Sequence, residues 1–163
     1  MLIGVVSDTH NNTNNISKAI SLFKNKEVEL VIHTGDITNS KALEMFSGLN
    51  CNLIGVYGNN DRNEKGLQET VSENNFLFQE PPHLITIKNK RIAILHEPDG
   101  IDDLLSENHD IDLVLHGHTH RYREEKLKGT LIFNPGESAG LIKGKNAIGL
   151  IDLNSLNVER IFF

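Results

Sequence analysis

Residues 2–10 read LIGVVSDTH, a short apolar run that leads directly into an acidic and an imidazole side chain. A continuous apolar run of this length is typical of a strand that is buried on both faces of a sheet. Asp8 and His10 would then lie just past the carboxyl end of that strand. Ligands of open α/β sheets bind at that edge, so this stretch predicts both a buried strand and the place where chemistry can occur.

Strand and helix alternate through the first half of the chain. The polar residues 11–15 offer side chains that can cap a helix, and apolar residues recur at helical spacing from Ile16 to Phe23. A second apolar strand at 30–32, a second helical pattern over 42–49 and a third strand at 53–57 follow. The order βαβαβ predicts a parallel sheet with right-handed crossovers.

The second half of the chain has a different pattern. Residues 83–95 predict an antiparallel hairpin that turns at Lys88-Asn89-Lys90. Further strands are predicted at 113–115, 131–133, 147–153 and 158–163, with the last paired to the one before it. We therefore expect an α/β protein with two sheets, the second more antiparallel, in a single domain that spans residues 1–163.

Composition narrows the class of protein. The fractions of hydrophobic residues (38%) and charged residues (23%) are ordinary for a globular chain. A net charge of −6 argues against non-specific nucleic-acid binding, which needs a basic surface. Cys51 has no partner for an internal disulfide and is expected to be a small buried side chain, and the first apolar run is too short for a signal peptide or a membrane span. We expect a cytoplasmic protein that does not enter a membrane.

Residue types that bind metals follow the predicted strands. Carboxylate, imidazole and amide oxygen without thiolate suit manganese, iron, cobalt, nickel or zinc in five- or six-coordinate geometry. Seven such side chains follow the predicted strands, which is too many ligands for one ion and suits two. A short carboxylate can bridge two ions. Asp36, which follows the central strand of the first three, is the candidate bridge. The candidate ligands are Asp8, His10, Asp36, Asn59, His96, His118 and His120, and the glycines beside them are Gly35, Gly58 and Gly117.

The motifs that carry these residues resemble, in their order, those of the calcineurin-like metallophosphoesterases, and especially the small single-domain phosphodiesterases of prokaryotes. The resemblance covers residues 7–120, and a turn at 134–136 (Asn-Pro-Gly) is also similar to one in that branch. It implies the metallophosphoesterase fold, a two-sheet β-sandwich flanked by helices. The motifs are Asp8-Thr9-His10, Gly35-Asp36, Gly58-Asn59-Asn60-Asp61, His96 and Gly117-His118-Thr119-His120.

The resemblance also implies an activity and a division of the ligands. One divalent ion would be held by Asp8, His10, Asp36 and His120, and the other by Asp36, Asn59, His96 and His118. The implied reaction is hydrolysis of a small phosphate ester, foremost a phosphodiester, by a hydroxide that bridges two ions, with manganese as the first candidate metal. Asp36 and Asn59 are the candidate catalytic residues.

Three positions depart from the family pattern. Asn60 stands where many members have a histidine that assists the leaving group, Glu97 stands where glycine is usual, and Glu137 precedes Ser138 after the Asn-Pro-Gly turn. An amide cannot transfer a proton as an imidazole does, so Asn60 bears on the choice of leaving group.

Other polar residues are assigned to less direct roles. Asp61 is expected to orient a neighbouring side chain, and His116 to have a structural role or to orient a ligand. Arg62 and Arg121 are placed outside the central site, as either phosphate contacts or exposed side chains. Surface or core positions are expected for His33, His83 and His109.

Two functions from different classes remain. The first is a metal-dependent phosphodiesterase, and the second is a non-catalytic scaffold of the same fold, which the family also contains, acting through protein contacts. All the expected ligand positions carry competent residues, which favours the enzyme. The oligomeric state is open, and a homo-oligomer is compatible with the sequence.

Overall fold

The computed structural model describes residues 1–163 and divides eleven strands between two sheets. The order in the first sheet is β11-β10-β1-β2-β3-β4, and in the second it is β5-β6-β7-β9-β8. The strands are β1 (Leu2–Val6), β2 (Leu30–His33), β3 (Asn52–Val56), β4 (Leu77–Gln79), β5 (His83–Ile87), β6 (Lys90–Ile94), β7 (Leu113–Leu115), β8 (Arg123–Leu127), β9 (Thr130–Asn134), β10 (Ala147–Asp152) and β11 (Asn157–Phe162). The helices are α1 (Thr13–Asn25), α2 (Ser40–Glu44), α3 (Leu67–Glu73) and α4 (Ile101–Glu107), with 3₁₀ turns at Met45–Gly48 and Pro98–Gly100.

The first sheet contains the predicted parallel core. β1, β2 and β3 are adjacent and parallel, with Ile3 opposite Leu30 and Leu30 opposite Asn52. Asn12 caps α1 through its side chain, which accepts a hydrogen bond from the backbone N–H of Asn15. The predicted pairing of the last two strands is also confirmed, but both lie in the first sheet, where β10 pairs antiparallel with β1 on one side and with β11 on the other. The order of strands along the chain did not indicate this return.

The second sheet is mixed. The β5–β6 hairpin turns at Lys88 and Asn89, as predicted, and both residues have positive φ angles of 49° and 62°. β6, β7 and β9 are parallel neighbours, and β8 pairs antiparallel with β9 at the edge. Two of the four pairings are therefore antiparallel, against two of five in the first sheet, so the prediction of a more antiparallel second sheet holds by a small margin.

Four elements were absent from the sequence prediction: α3, α4, β4 and β8. The two strands have three and five residues, and the two helices have seven each. Short length alone does not hide an element, since β7 also has three residues, but β7 is wholly apolar (LVL), whereas the four missed elements mix apolar and polar residues and show no clear run or period. β8 reads REEKL, and its charged side chains suit an exposed sheet edge, where they oppose pairing with another chain.

Three apolar layers hold the sheets and helices together. One lies between the two sheets, where Ile3, Ile94 and Phe133 are fully buried. A second lies between the first sheet and α1 and α2, and the third packs α4 against the second sheet. Both sheets are thus covered on their outer faces, in agreement with the predicted sandwich flanked by helices. Cys51 is half-buried at the edge of the second layer, so it is less enclosed than predicted. No helix has the length and apolar character that crossing a membrane requires.

His33 ends β2 as a fully buried side chain with both ring nitrogens paired. Its Nδ1 accepts a hydrogen bond from the Gly35 backbone N–H at 3.1 Å, and its Nε2 lies 3.2 Å from the Thr9 hydroxyl. Burial lowers the pKa of His33 to about 3. His83 is likewise buried, and His109 is exposed, so all three histidines have the surface or core positions predicted for them.

Asp61 joins the loops that follow β2 and β3. One of its carboxylate oxygens accepts hydrogen bonds from the backbone N–H groups of Ile37 and Thr38, at 2.9 and 2.7 Å. The other accepts from Asp36 and Gly58, at 2.9 and 2.7 Å. The side chain is 3% exposed, so these bonds are shielded from water. Asp61 thus orients its neighbours, but through their backbone amides, whereas a side chain was the expected partner.

His33 should make the protein sensitive to acid. The unfolded chain takes up a proton on this ring below about pH 6.5, whereas the folded chain stays neutral until about pH 3. Its contribution to stability is therefore intact above pH 6.5 and falls with acid by up to about 1.4 kcal/mol per pH unit. We predict that His33→Gln, which keeps an acceptor and a donor, flattens the fall in the free energy of unfolding between pH 6 and pH 4, measured by urea denaturation. His109→Gln is the matched exposed control, and parallel curves for wild type and His33→Gln would contradict the prediction.

Replacing the Asp61 carboxylate should loosen both loops. In Asp61→Asn, one acceptor oxygen becomes an NH₂ donor that faces backbone N–H donors. We expect the free energy of unfolding to fall by about 3 kcal/mol, because buried bonds to a charged group are lost and donors are left unpaired. Chemical denaturation measures this directly. Asp99→Asn, at an exposed position, is the control, and an equal effect of the two substitutions would show that the four hydrogen bonds contribute little.

Candidate metal centre

The seven candidate ligands lie together where the carboxyl ends of strands from both sheets meet. The loops after β1, β2 and β3 contribute from the first sheet, and the loops after β6 and β7 contribute from the second. Each candidate follows its strand by two to five residues, so the short loops give little freedom to the side chains. The predicted convergence of these residues is therefore present in the structure.

Most of these residues have an unusual backbone conformation. Five of the seven have a positive φ angle: Asp8 (49°), His10 (40°), Asp36 (60°), His118 (67°) and His120 (56°). A left-handed conformation costs an L-residue about 1–2 kcal/mol. Strain of this kind persists only where the surrounding structure enforces it, and it is concentrated at functional sites. Here the left-handed residues lie in the loops that directly follow β1, β2 and β7.

Two glycines permit the close approach of these loops. A β-carbon at Gly58 would overlap the backbone and carboxylate of Asp36, and one at Gly117 would overlap the hydroxyl of Ser7. Gly35 has a φ of 101°, and a β-carbon there would lie 2.7 Å from Nδ1 of His96. There is thus no room for a side chain at the three glycines beside the candidate ligands.

Asp8, His10 and His120 form one group. Nε2 of His10 and Nε2 of His120 are 3.3 Å apart, and Nε2 of His120 is 3.6 Å from Oδ1 of Asp8. One ligand atom from each of the three lies within 4.8 Å of the other two. The rear nitrogen of His120, Nδ1, is 3.0 Å from a carboxylate oxygen of Glu137. The ring is therefore oriented with Nε2 toward the centre.

Asn59, His96 and His118 form the other group. Oδ1 of Asn59 lies 2.9 Å from Nε2 of His96 and 3.0 Å from Nδ1 of His118. The backbone carbonyl of Thr34 accepts a hydrogen bond from Nδ1 of His96 at 2.8 Å. In the neutral ring this leaves a lone pair on Nε2, which then faces the lone pairs of the Asn59 oxygen. Two acceptors at this distance need a proton or a cation between them.

Asp36 lies between the two groups. Its Oδ2 is 3.5 Å from Nε2 of His10, and its Oδ1 is 3.4 Å from Nε2 of His96. Asn60 donates to both oxygens, from its backbone N–H at 2.9 Å and from its side-chain amide at 2.7 Å. Asp8 also reaches both sides, since its carboxylate lies within 4.8 Å of ligand atoms of Asp36 and His96. Asp36 presents a different oxygen to each group.

The charges of the centre favour a cation. Burial raises the pKa of Asp36, but hydrogen bonds from His96 and Asn60 outweigh it and hold the pKa well below its usual range. Burial raises the pKa of Asp8, although the Ser7 hydroxyl donates to it at 2.5 Å. Burial acts to lower the pKa of His96, yet the Asp36 carboxylate outweighs this and raises it. Asp8 and His96 therefore hold protons more tightly than usual, at positions that a metal ion could occupy instead.

Several residues around the centre have roles that sequence reasoning missed. The most notable is Glu137, whose partner His120 lies 17 positions away in the chain, beyond the reach of any local pattern. Ser7 and Thr34 likewise act through single hydrogen bonds. His116 is buried, with Nδ1 near the Gly117 carbonyl and no partner on Nε2, and burial lowers its pKa to about 4. This geometry agrees with the structural role expected for His116.

A cavity of about 240 Å³ opens beside His96. Its walls include Arg62, Glu97 and the Pro81-Pro82 pair. Arg62 also lines a neighbouring cavity of about 380 Å³, which contains no candidate ligand. Arg121 is exposed beside His120.

Known proteins are similar to this chain in sequence and in fold. Residues 1–155 match the calcineurin-like phosphoesterase superfamily domain. A phosphodiesterase of Methanocaldococcus jannaschii is 35% identical over 165 residues, which cover 99% of this chain and 98% of that protein. The solved structure of an archaeal phosphodiesterase has a TM-score of 0.91 at 32% identity, with both chains covered completely. A phosphoesterase of E. coli has the same fold, with a TM-score of 0.73 at 19% identity, and 99% of this chain and 98% of that one are covered. This chain therefore belongs to the calcineurin-like phosphoesterase superfamily.

Proposed function

We propose that this phosphoesterase is a phosphodiesterase that holds two divalent metal ions between the loops of residues 8–10, 36, 59, 96 and 118–120. The observation that carries the proposal is the position of Asp36, with one oxygen toward His10 and the other toward His96. A carboxylate so placed suits a bridge between two ions. We take residues 1–163 as one catalytic unit.

The donor set fits such ions. When the His96 ring is neutral, its Nε2 is an acceptor that faces another acceptor, Oδ1 of Asn59, with no donor between them. Nitrogen and oxygen ligands without thiolate suit manganese first, and also nickel, cobalt, iron or zinc. We assign one ion to Asp8, His10, Asp36 and His120, and the other to Asp36, Asn59, His96 and His118. When bound, the ions would supply the positive charge that acidifies water to give a hydroxide nucleophile and neutralises phosphate oxygens.

The chain's own residues prepare the centre for that chemistry. Asn60 holds the Asp36 carboxylate through two hydrogen bonds, and the Asp61 carboxylate holds the Asp36 backbone. Thr34 and Glu137 fix the rings of His96 and His120 from behind. Such fixed ligands present their charge to the substrate without reorganisation, which is the main source of electrostatic catalysis.

The preference for diesters rests on two observations. The relative with 35% identity over nearly the full length of both chains is a phosphodiesterase. The second is Asn60, whose amide is committed to Asp36 and has no proton to give to a leaving group. A diester carries one negative charge and a monoester dianion two, and the second charge is disfavoured by the carboxylates of Asp8, Asp36 and Glu97. We propose a small phosphodiester with a stable leaving group as substrate.

A non-catalytic scaffold would not need the clustered ligands. Seven competent ligands at one point, five of them in a strained conformation, are maintained only at a stability cost, which an enzyme explains and a scaffold does not. Stripping the protein with chelator and reloading it with manganese, nickel or cobalt distinguishes the two. Restored hydrolysis of a chromogenic diester supports the enzyme, and the absence of both bound metal and turnover supports the scaffold.

Asp36→Asn should abolish activity and lower the metal content of both sites. Asp36 is the only side chain assigned to both ions, and the substitution removes its charge while keeping its size. His10→Ala, which removes a ligand of one ion, should lower the metal content by about one equivalent and leave the other ion bound. Elemental analysis of both variants after loading measures this. Equal loss of metal from the two variants would contradict the assignment of the bridge.

Hydrolysis by wild type should depend steeply on the leaving group. We expect aryl diesters to be cleaved faster than the matching monoesters, with rates that fall as the pKa of the released phenol rises. Asn60→His should recover part of the loss for the poorest leaving groups, because general acid assistance is worth about 10²–10⁴-fold. Asn60→Ala is the matched control, since it removes the amide and adds no acid. A wild type that is insensitive to the leaving group would mean that another residue donates the proton.

A further inference from the structure

Glu137 is a buried carboxylate with only two hydrogen-bonding partners. The side chain has no measurable exposure to solvent. Oε2 lies 3.0 Å from Nδ1 of His120, and Oε1 accepts a hydrogen bond from the backbone N–H of Ile142 at 2.7 Å. No lysine or arginine pairs with it, so His120 is the only side chain that can balance its charge. A buried charge with so little compensation is costly unless a cation lies nearby.

The other candidate imidazoles lack this arrangement. The rear nitrogen of His96 faces the neutral backbone carbonyl of Thr34. His10 and His96 approach Asp36 with the nitrogens that face the centre, and His118 is largely exposed. The two halves of the centre therefore differ in the groups behind their ligands. A carboxylate, that of Glu137, lies behind His120 in the half that contains Asp8 and His10, whereas a neutral carbonyl lies behind His96 in the other half.

Glu137 is itself held rigidly. The next two residues are tied to the start of α1, where the side-chain amides of Asn15 and Asn12 donate to the carbonyls of Ser138 and Ala139, at 2.9 and 2.7 Å. The Ser138 N–H in turn donates to the Ser7 carbonyl at 3.1 Å. These contacts fix the backbone beside Glu137, and the hydrogen bond from the Ile142 N–H to Oε1 holds the carboxylate itself. It can therefore fix the ring and the nitrogen that carries the proton.

We propose that Glu137 is a positioning residue that makes the ion site of Asp8, His10 and His120 the tighter of the two. It accepts a hydrogen bond from Nδ1 of His120, so that the Nε2 lone pair points into the site, and its negative charge lies behind the ring, where it attracts a cation bound in front. The proposal rests on the two-metal function proposed above and adds an order of filling. The site backed by Glu137 fills first, and the site of Asn59, His96 and His118 fills second.

Titration of the metal-free protein with manganese, followed by calorimetry, tests this order. In wild type we expect two binding steps. Glu137→Gln should weaken the tighter step about 10–100-fold, the usual effect of losing a partner behind a metal-binding histidine. The weaker step should change by no more than about twofold. Glu159→Gln, an exposed position with the same change in charge, is the control and should leave both steps unaltered.

A double-mutant cycle separates positioning from general loss of structure. If Glu137 acts through His120, Glu137→Gln should have no further effect on manganese affinity in a His120→Ala background. A loss of the same size in both backgrounds would overturn the proposal, as would equal weakening of both steps. Thermal unfolding of the metal-free variants reports separately on the fold.

A second variant covers the case in which Glu137→Gln does not fold. Glu137→Asp keeps the charge but withdraws the carboxylate by one methylene, and it should also weaken the tighter step. Wild-type affinity in that variant would overturn the proposal. A wild-type protein that binds no manganese overturns the two-metal function as well, whereas binding that is insensitive to Glu137 overturns this inference alone.

Discussion

The carboxylate of Asp61 accepts four backbone N–H groups, two on each oxygen, and this one interaction holds the loop after β2 against the loop after β3. From there, backbone hydrogen bonds extend the connection. Asp8 and His10 donate to the carbonyls of Gly35 and Asp36, which joins the loop after β1. The backbone of these candidate ligands is thus fixed from several sides, and hydrogen bonds from Asn60 also hold the carboxylate of Asp36.

Hydrogen bonds donated by backbone N–H groups also join the loops of the two sheets. The backbone N–H of His118 donates to both oxygens of Asp8, at 3.2 and 3.1 Å, and the Gly117 N–H donates to the His96 carbonyl at 3.0 Å. The five loops therefore form a continuous network. Glycine at positions 58 and 117 is what allows the loops to come within bonding distance. This rigidity explains how several left-handed residues can persist at one point, since a flexible set of loops would relax them.

Much of this architecture could be predicted from local patterns. β1, β2 and β3 are buried apolar runs, and the hairpin at Lys88 and Asn89 carries its turn residues, so each gives a signal within a few positions. The gathering of the ligands followed from one topological rule, that parallel strands end at a common edge. What escaped prediction depends on distant partners. The place of β10 in the first sheet depends on its pairing with β1, far away in the chain. The role of Glu137 depends on its contact with His120. Neither fact has a local signature.

The position of β10 has a consequence for how the chain acquires its structure during synthesis. β1 leaves the ribosome well before β10, yet β10 is one of its two neighbours in the sheet, with Leu2 opposite Asp152. The pairing closes a loop of nearly the whole chain, and contacts of such long sequence separation slow folding. Until residues 147–152 emerge, one edge of a fully apolar strand has no partner, and such edges promote aggregation. We expect the nascent chain to need protection along that edge until β10 has emerged and can pair with β1.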